Sequence, residues 1–496
     1  MSRPALLPVE CRMPSGSGFR FGPFRLDPRG RFLLRDETAI PLQPRLFNLL
    51  EALVSRPGEL LAKDELIAIG WPHHAVSDNS LAQAISRLRA TLDPSDPERY
   101  IATVPRLGYR FVISVARDEQ GLSDAELDAL MAPHLALLDG RTMLETLVTE
   151  RVDAAVTLFA RVVETAPDNA LAHVGLANAY ILRFHGTRSA DAPDEHALRA
   201  SVRHALEARR LAPALAEAWA TYGFVVDATG DRRRAIGAVV EAIRLEPDHW
   251  AHHLRLAWCS WGEQRLRAAR RTLQLRRGLA VAHWLIATVH VARNELDLAE
   301  RELDPALEAM ASAGPSGFSG AAIHWLKGLL CLARGADEEA LTHFDREREL
   351  EPLHHLFSRE CCAAAWYAAA ALHERRGDPT AACSALQEAL TRVPRHPMAH
   401  ATLRVLRAGT AGGPSADTES DGGAMPVDDA MARALLLERS GRPDEAAGLV
   451  ASALASAPGG GAGWLLPIDP SLNVQRDPAR WRTALTTLHE RTTTWG

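Results

Sequence analysis

Residues 19–116 begin with short apolar segments separated by turn residues and then change to a helical spacing. The strand-like segments are 19–21, 24–26, 32–34 and 39–42. Segments of this length, separated by Gly, Pro and Asp, predict a small antiparallel sheet. The spacing then predicts three helices, of which the first carries Leu46, Leu49, Leu50 and Leu53, the second spans 63–69 and the third spans 77 or 78 to about 92.

The third predicted helix is amphipathic. Its apolar positions share one face at 100° per residue and are Leu81, Ile85, Leu88 and Leu92. The opposite face carries Asn79, Gln83, Ser86, Arg87 and Ala90. Side chains of these types read base edges in the major groove, where Arg pairs with guanine and Asn or Gln pairs with adenine. Arg89 lies at the flank, from which an arginine reaches a phosphate. An ordinary solvated surface helix has the same pattern.

A predicted hairpin follows this helix. Residues 101–104 and 109–113 are strand-like, and the turn from Pro105 to Gly108 between them presents Arg106 at its tip. A helix followed by a hairpin, with cations on both, fits one contact in the major groove and one on the neighbouring backbone or minor groove. This order of elements, a polar-faced helix and then a hairpin, indicates a winged helix that binds double-stranded DNA.

From residue 121 the chain is rich in Ala, Leu and Arg and has a helical period. An internal repeat places an Ala five residues after a Gly, and a Pro twelve residues after the Ala. The copies are Gly230/Ala235/Pro247, Gly335/Ala340/Pro352, Gly377/Ala382/Pro394 and Gly441/Ala446/Pro458, with Ala155/Pro167 as a copy that lacks the Gly. An apolar residue stands four positions after each Ala. The small Ala lets two helices approach, the apolar residue fills the space between them, and Pro ends the second helix.

The first domain resembles the OmpR/PhoB-type winged helix, and within that family it is most similar to the ToxR/CadC/HilA-like regulators, which carry the domain at the N-terminus. The segments that carry the resemblance are 41–50, 57–58, 63–66, Trp71, 79–81, 85–89 and 103–111. The resemblance implies DNA contacts from the recognition helix and the wing, contact of the loop 70–76 with RNA polymerase, and binding as a dimer or multimer. In place of the arginine that often follows Thr-Val in this family, the chain has Pro105, and Arg106 comes one place later. The predicted DNA-contacting residues are Asn79, Gln83, Ser86, Arg87, Arg89, Arg106 and Tyr109.

The second part resembles the tetratricopeptide repeat, a helix–turn–helix of 34 residues. We expect six to eight units, including degenerate ones near 250–280 and 281–312. The predicted fold class is therefore multidomain, with a small α+β winged helix-turn-helix followed by an all-α tetratricopeptide-repeat solenoid. Such a solenoid offers a concave face that holds a protein or peptide partner or a second copy. The expected domains are a disordered tail 1–18, a winged helix 19–116, repeats 120–407, a flexible linker 408–424, and a final repeat with a closing cap at 425–496.

Charge and composition add little to this interpretation. Residues 19–116 carry 13 Lys and Arg against 11 Asp and Glu, a net charge of +2 in a chain of net charge −6. The six cysteines form no CxxC pair, so we expect reduced, buried thiols rather than disulfides. Adjacent histidines on a helix diverge by about 100°, which disfavours metal sites at the histidine pairs. We expect no metal, no cofactor, no membrane segment and a cytoplasmic location.

Two functions remain open. The first is a cytoplasmic, sequence-specific transcription regulator in which the repeats bind a partner or self-associate. With 18 residues before the winged helix, we expect no receiver domain in it. The second is a protein-interaction scaffold whose winged helix docks protein rather than DNA. The motifs of P-loop nucleotide hydrolases, serine hydrolases and zinc proteases are absent, so we expect no enzyme.

Overall fold

The structure is a computed structural model. It describes residues 18–28, 31–36, 38–40, 42–70, 78–105, 107–118, 124–313, 322–353, 355–408 and 425–493. The chain divides into two compact units, Met1–Pro133 and His134–Gly496.

The first unit contains two small antiparallel sheets. The strands are β1 (Gly18–Phe21), β2 (Phe24–Asp27), β3 (Phe32–Arg35), β4 (Thr38–Ile40), β5 (Leu60–Ala62), β6 (Ile101–Val104), β7 (Gly108–Phe111) and β8 (Ala116–Asp118). Their orders are β4-β3-β2-β1-β8 in one sheet and β5-β7-β6 in the other. The turn from β1 to β2 uses Gly22 at φ +54°, a backbone conformation that Gly adopts without a steric penalty.

Three helices pack with these sheets around one core. They are α1 (Pro44–Ser55), α2 (Lys63–Gly70) and α3 (Asp78–Leu92). Aromatic rings pack together in this core: the centroid of Phe21 lies 5.4 Å from that of Phe24 in the same sheet and 5.1 Å from that of Phe111 in the other sheet. The buried leucines of α1 and α3 complete the core. The core therefore buries one face of α3 and leaves the opposite face exposed.

The predicted elements of this unit are confirmed, and the structure adds two strands. Strands β5 and β8 are three residues long, too short to show an alternating pattern, and each gains its hydrogen bonds from a partner distant in sequence. The pairing of β5 with β7 requires a glycine at position 108. A Cβ atom there would lie 1.9 Å from the carbonyl oxygen of Leu61. The family-like Gly-Tyr-Arg-Phe segment thus allows a close approach of two backbones.

The second unit is all-helical. Its helices, the first of which starts in the preceding unit, are α4 (Asp124–Glu145), α5 (Thr149–Thr165), α6 (Ala170–Thr187), α7 (Glu195–Leu211), α8 (Ala216–Asp227), α9 (Arg232–Leu245), α10 (Trp250–Cys259), α11 (Gly262–Leu275), α12 (Ala280–Ala292), α13 (Leu296–Ala313), α14 (Ile323–Ala333), α15 (Asp337–Arg348), α16 (Ser358–Arg375), α17 (Pro379–Arg392), α18 (Pro397–Ala408), α19 (Val427–Arg439), α20 (Pro443–Ser456) and α21 (Arg482–Thr493). Short 3-10 turns occur at 351–353, 466–468 and 474–476.

These helices form the predicted tetratricopeptide solenoid. The described residues contain eight helix pairs: α4/α5, α6/α7, α8/α9, α10/α11, α12/α13, α14/α15, α16/α17 and α19/α20. The repeat alanines are fully buried, and so are the apolar residues four positions later. Each repeat glycine has a positive φ between +76° and +89°, which turns the chain from the first helix of a pair into the second. The sequence repeat therefore marks a structural one.

A second repeat feature lies at the turn between successive pairs. Six residues after the proline, a ring N–H donates to the carbonyl oxygen of that proline and fixes the start of the next helix. The donors and acceptors are His173 to Pro167, Trp219 to Pro213, His253 to Pro247 and His400 to Pro394. Because a carbonyl can only accept, the three histidine nitrogens must carry hydrogen. The proline thus ends one helix and its carbonyl anchors another.

The first helices of the pairs lie on the inner side of the solenoid, because consecutive first helices contact one another more extensively than consecutive second helices do. The chain after α20 runs along this inner side. The sequence predicted a closing cap here, and α21 does cover α20. It also contacts α11 and α12, far earlier in the solenoid. The segment is therefore more than an end cap, a feature that the helical period could not reveal.

In the described parts of the chain, no helix is both long and apolar enough to cross a membrane.

Candidate nucleic-acid interface

Helix α3 presents a polar face whose position is fixed by its apolar face. Leu81, Ile85 and Leu88 are fully buried in the core of the first unit. On the opposite side Gln83, Ser86, Arg87 and Ala90 are exposed, as the sequence predicted. Within the described part of the chain, the Arg87 side chain has no hydrogen-bond partner. The exposed face is therefore rigidly placed, and its arginine is available to a ligand.

The C-terminal end of α3 is capped by an arginine from the first sheet. Nη2 of Arg35 donates to the carbonyl oxygens of Thr91, at 3.1 Å, and Leu92. These carbonyls have no partner within the helix, and a cation at this end also complements the helix dipole. The guanidinium carbon of Arg35 lies 4.7 Å from the ring centroid of Phe24 on β2. Arg35 therefore fixes α3 relative to the first sheet.

Arg89 links α3 to the wing. Its Nη2 donates to the carbonyl oxygen of Ile101 at 2.7 Å and to Oγ1 of Thr103 at 2.8 Å. Its Nε donates to the same Ile101 oxygen at 3.0 Å, and an ion pair with Glu98 at 3.4 Å completes the set. The side chain of Arg89 is 16% exposed. These bonds hold β6, the first strand of the hairpin, against the helix.

Tyr109 lies beneath this link. It is 8% exposed, and its ring centroid lies 5.9 Å from the guanidinium carbon of Arg89. Tyr109 pairs with Thr103 across the hairpin, so both residues lie on the sheet face that Arg89 contacts. Arg110 comes next on the strand, is exposed, and lies on the other face of the sheet. The structure thus gives Arg89 and Tyr109 internal contacts, and their contact with DNA remains a prediction.

Other predicted site residues lie wholly or in part outside the range that the structure describes. Asn79 lies in the first turn of α3, but its side chain is outside them. Arg106 at the hairpin tip and residues 71–76 of the loop predicted to contact RNA polymerase are also outside. The structure therefore brings Gln83, Ser86 and Arg87 together on one face.

Arg35 shapes this interface although no pattern in the sequence predicts it. It is 56 residues from Thr91, so no local spacing signals the contact. Arg35 stands at the end of a strand whose other side chains are buried, and this is the only local feature that distinguishes it. A cation at such a strand end is available to cap a neighbouring helix, but sequence alone does not say which helix.

The second unit has two places where three potential metal ligands come within 4.8 Å of one another among the described residues. They are Glu246, His249 and His252, and Cys331, Glu339 and His343. Each group has one ligand fewer than a structural zinc site. The adjacent histidines 252 and 253 diverge, since the first contacts Glu246 and the second donates to Pro247. Burial raises the pKa of the Cys331 thiol to about 11, so it is not a thiolate at neutral pH.

Two family models match parts of the chain. Residues 37–111 match the family described as "Transcriptional regulatory protein, C terminal". Residues 227–280 and 285–353 match the tetratricopeptide repeat. Neither family is enzymatic in kind. The first match ends at Phe111, the last residue of the hairpin, and contains all of α3.

Curated relatives are similar to about a fifth of the chain. The transcriptional activator CadC of Escherichia coli K12 is 36% identical over 98 residues, 19% of each chain. The transcriptional regulatory protein HprR of the same organism is 38% identical over 89 residues, 18% of this chain and 40% of that protein. The transcriptional regulator HilA of Salmonella typhimurium is 34% identical over 97 residues, 20% of this chain and 17% of that one. The chain therefore spans less than half the length of each of these relatives.

Two solved structures are similar to parts of the chain. The DNA-binding domain of E. coli CadC is 35% identical and covers 20% of this chain and 94% of that domain, with a TM-score of 0.19 over the whole chain. Human IFIT1, solved as a dimer with PPP-AAAA, is 14% identical and covers 66% of this chain and 73% of that one, with a TM-score of 0.44.

Proposed function

We propose that this chain, in which an OmpR/PhoB-type transcriptional-regulator domain precedes tetratricopeptide repeats, is a sequence-specific DNA-binding transcription regulator whose repeats bind a protein partner. The observation that carries the proposal is the exposed row of Gln83, Ser86 and Arg87 on a helix whose opposite face is buried in the core. Its location in the cytoplasm is part of the same proposal.

In this proposal α3 enters the major groove. Residues three and four apart on a helix are neighbours on its surface, so Gln83 and Arg87 face adjacent base pairs. Arg87 donates two hydrogen bonds to guanine, and Gln83 pairs with adenine. Ser86 and Ala90 are small, which lets the helix backbone approach the base edges. Asn79, in the first turn, reaches the neighbouring bases.

The wing adds a second contact on the DNA backbone. In this proposal Arg106, at the hairpin tip, contacts a phosphate or the minor groove. The reason is that the hairpin follows α3 and would lie on the DNA next to the major groove that α3 occupies. Arg89 and Tyr109 act mainly as positioning residues, since the hydrogen bonds of Arg89 fix the angle between helix and hairpin. Any phosphate contact they make is added to that role.

The partner assignments rest on the family resemblance. The loop 70–76 is proposed to contact RNA polymerase, and the chain is proposed to occupy repeated half-sites as a homodimer. Repeat solenoids use their inner face to hold proteins, which supports a protein or peptide partner for the second unit.

A protein-docking winged helix is the second candidate function. It is supported by three exposed apolar side chains at the three-stranded sheet, Leu60, Leu107 and Val112. The polar character of the α3 face favours DNA, because protein-docking surfaces are apolar at their centre. Partner binding without any DNA affinity would identify the docking function.

The test is a footprint on the DNA upstream of the protein's own gene with the full chain and with Arg87→Ala. We expect protection that falls steeply with salt and that weakens about 10- to 100-fold in the variant. The matched control is Arg110→Ala, which removes the same charge from the sheet face that does not contact Arg89. The control is expected to retain sequence-dependent binding. Absence of salt-sensitive, sequence-dependent binding by the wild-type chain would overturn the proposal.

A further inference from the structure

The inner side of the solenoid is occupied by the chain's own C-terminal segment. After α20 ends at Ser456, residues 459–493, here called the C-terminal strap, run across the first helices of several repeats. Seven of its apolar residues are almost fully buried: Leu466, Ile468, Leu472, Val474, Trp481, Ala484 and Leu488. The face that solenoids use for partners is therefore already covered in this structure.

The strap is anchored near its start by aromatic contacts. The ring of Trp464 meets the rings of Trp284 on α12 and Trp325 on α14 edge-on, each at 6.2 Å between centroids. Edge-on contacts of this kind contribute beyond the apolar area they bury. Helices α12 and α14, each the first helix of its pair, thus form an aromatic pocket for Trp464 of the strap.

A polar anchor follows five residues later. The hydroxyl of Tyr367 on α16 lies 3.3 Å from a carboxylate oxygen of Asp469 and 2.9 Å from Oγ of Ser471, and its single hydrogen is shared between these two acceptors. The backbone N–H groups of Ser471 and Leu472 also donate to Asp469, each at 3.0 Å. The carboxylate is buried, so these hydrogen bonds replace the water it has lost.

The two ends of the strap are fixed by arginines of the solenoid. Arg232, at the start of α9, donates to the carbonyl oxygen of Gly459 at 3.0 Å. Arg293, after α12, donates to Oγ1 of Thr492 at 2.8 Å. Thr492 also lies against the backbone of Gly262, where a Cβ atom would meet its carbonyl oxygen at 2.1 Å. The strap therefore contacts elements from α9 to α16.

We infer that the inner face of the repeats is a peptide-binding groove and that the C-terminal strap is its resident ligand, which an incoming partner must displace. The partner that fits has the chemistry of the strap: an extended segment with a tryptophan and aliphatic anchors, and a carboxylate opposite Tyr367. This inference rests on the proposed function only in giving the repeats a partner.

The segment is built as a ligand rather than as a repeat. Between residues 459 and 481 it contains no α-helix, only short 3-10 turns, and Gly459, Gly460, Gly461 and Gly463 form the connection to α20. A glycine-rich connection gives the backbone the freedom that release of the strap requires. The apolar clusters of helices α4 to α12 contain no strap residue. Further along the solenoid, Ile468 joins the cluster of α12 to α16, and Trp481 and Leu488 pack into the cluster of α16 to α20.

The test is binding of a fluorescein-labelled synthetic peptide of residues 459–493, measured by fluorescence anisotropy. The chain truncated after Ala457 is expected to bind the peptide, and the full chain is expected to bind at least 100-fold more weakly because its own strap fills the groove. Equal affinity for the two chains would overturn the inference. A truncated chain that is folded by circular dichroism and does not bind the peptide would do the same.

Full-length variants keep the test decisive if the truncated chain does not fold. Trp464→Ala weakens the anchor in the aromatic pocket, and this full-length variant is expected to bind the labelled peptide at least 10-fold more tightly than the wild type. Trp250→Ala is the control, because Trp250 lies over Arg276 on the solenoid itself, and it should leave peptide binding unchanged. If the truncated chain is unfolded and Trp464→Ala gains no affinity, the strap is an integral part of the core and the inference is wrong. The readout uses peptide and not DNA, so a failure of DNA binding would leave this result interpretable.

Discussion

Removing the guanidinium of Arg89 should loosen the wing without changing the base-reading face of α3. The Arg89→Ala variant loses three hydrogen bonds from a charged donor, two to the Ile101 carbonyl and one to Thr103. Hydrogen bonds to charged groups contribute about 1.5–3 kcal/mol each. Because two of them share one acceptor and the side chain is partly exposed, we expect a net loss of about 2 kcal/mol in the free energy of unfolding of the first unit. This corresponds to roughly a 30-fold larger opening constant.

The assay is hydrogen–deuterium exchange of the full chain, read on peptides that cover β6, β7 and α3. In Arg89→Ala, amides of β6 and β7 should exchange roughly 30-fold faster than in the wild type. Arg87→Ala is the matched control, since it removes the same group from a position two residues away that has no hydrogen-bond partner in the described chain. The control should leave exchange unchanged and should lose DNA affinity. Arg89→Lys should not restore protection, because an ammonium cannot reproduce the planar fork.

Two results would contradict this prediction: unchanged hydrogen exchange of the hairpin in Arg89→Ala, or exchange in Arg87→Ala that is accelerated as much as in Arg89→Ala. Either result would mean that Arg89 does not couple the helix to the wing, and its role would then be the direct phosphate contact that the sequence predicted.

Further predictions concern the repeats. Gly223→Ala should destabilise the second unit by about 1–3 kcal/mol, because the new Cβ would meet the Ala235 carbonyl oxygen at 2.7 Å. A Cβ at Gly237, in the same repeat, would have no heavy atom within 4 Å, so Gly237→Ala should stabilise the unit by up to about 1 kcal/mol. Thermal unfolding of the two variants measures the difference. Burial lowers the pKa of six histidines from 6.5 to about 4, so their contribution to stability is present above pH 6.5 and is lost as the pH falls toward 4. Thermal unfolding midpoints should therefore fall on acidification, and midpoints that rise would contradict this prediction. These histidines are His185, His204, His252, His324, His355 and His396. Burial instead raises the pKa of Glu347 from 4.5 to about 7, so the stability that this side chain contributes is lost as the pH rises through 7. The free energy of unfolding that Glu347→Gln loses relative to the wild type should therefore become smaller between pH 4.5 and 7.

Much of the fold follows from local patterns in the sequence. The apolar row of α3 fixes which face is buried, so the exposed residues 83, 86 and 87 could be named in advance. The Gly–Ala–Pro repeat corresponds to a left-handed turn, a buried contact and a helix end, each of which is determined within one repeat. Properties that depend on neighbouring residues are therefore predictable.

Contacts between distant segments were not predictable. Arg89 was expected to point toward DNA from the flank of the helix, but the structure directs it to β6, and nothing in the helical period indicates that a strand lies there. The cap by Arg35 and the return of the strap to α9 both join residues widely separated in sequence. The final segment was predicted as a cap because its composition differs from the repeats, and composition does not indicate where a segment docks.

Selection of duplexes from a random pool by the full chain shows whether the exposed face of α3 reads a DNA sequence. At near-physiological salt, we expect the wild type to enrich one recurrent motif. Arg87→Ala should lose preference for guanine at one position, and Gln83→Ala should lose preference for adenine beside it. Enrichment of the same motif by the wild type and both variants, or enrichment of no motif by the wild type, would contradict the account.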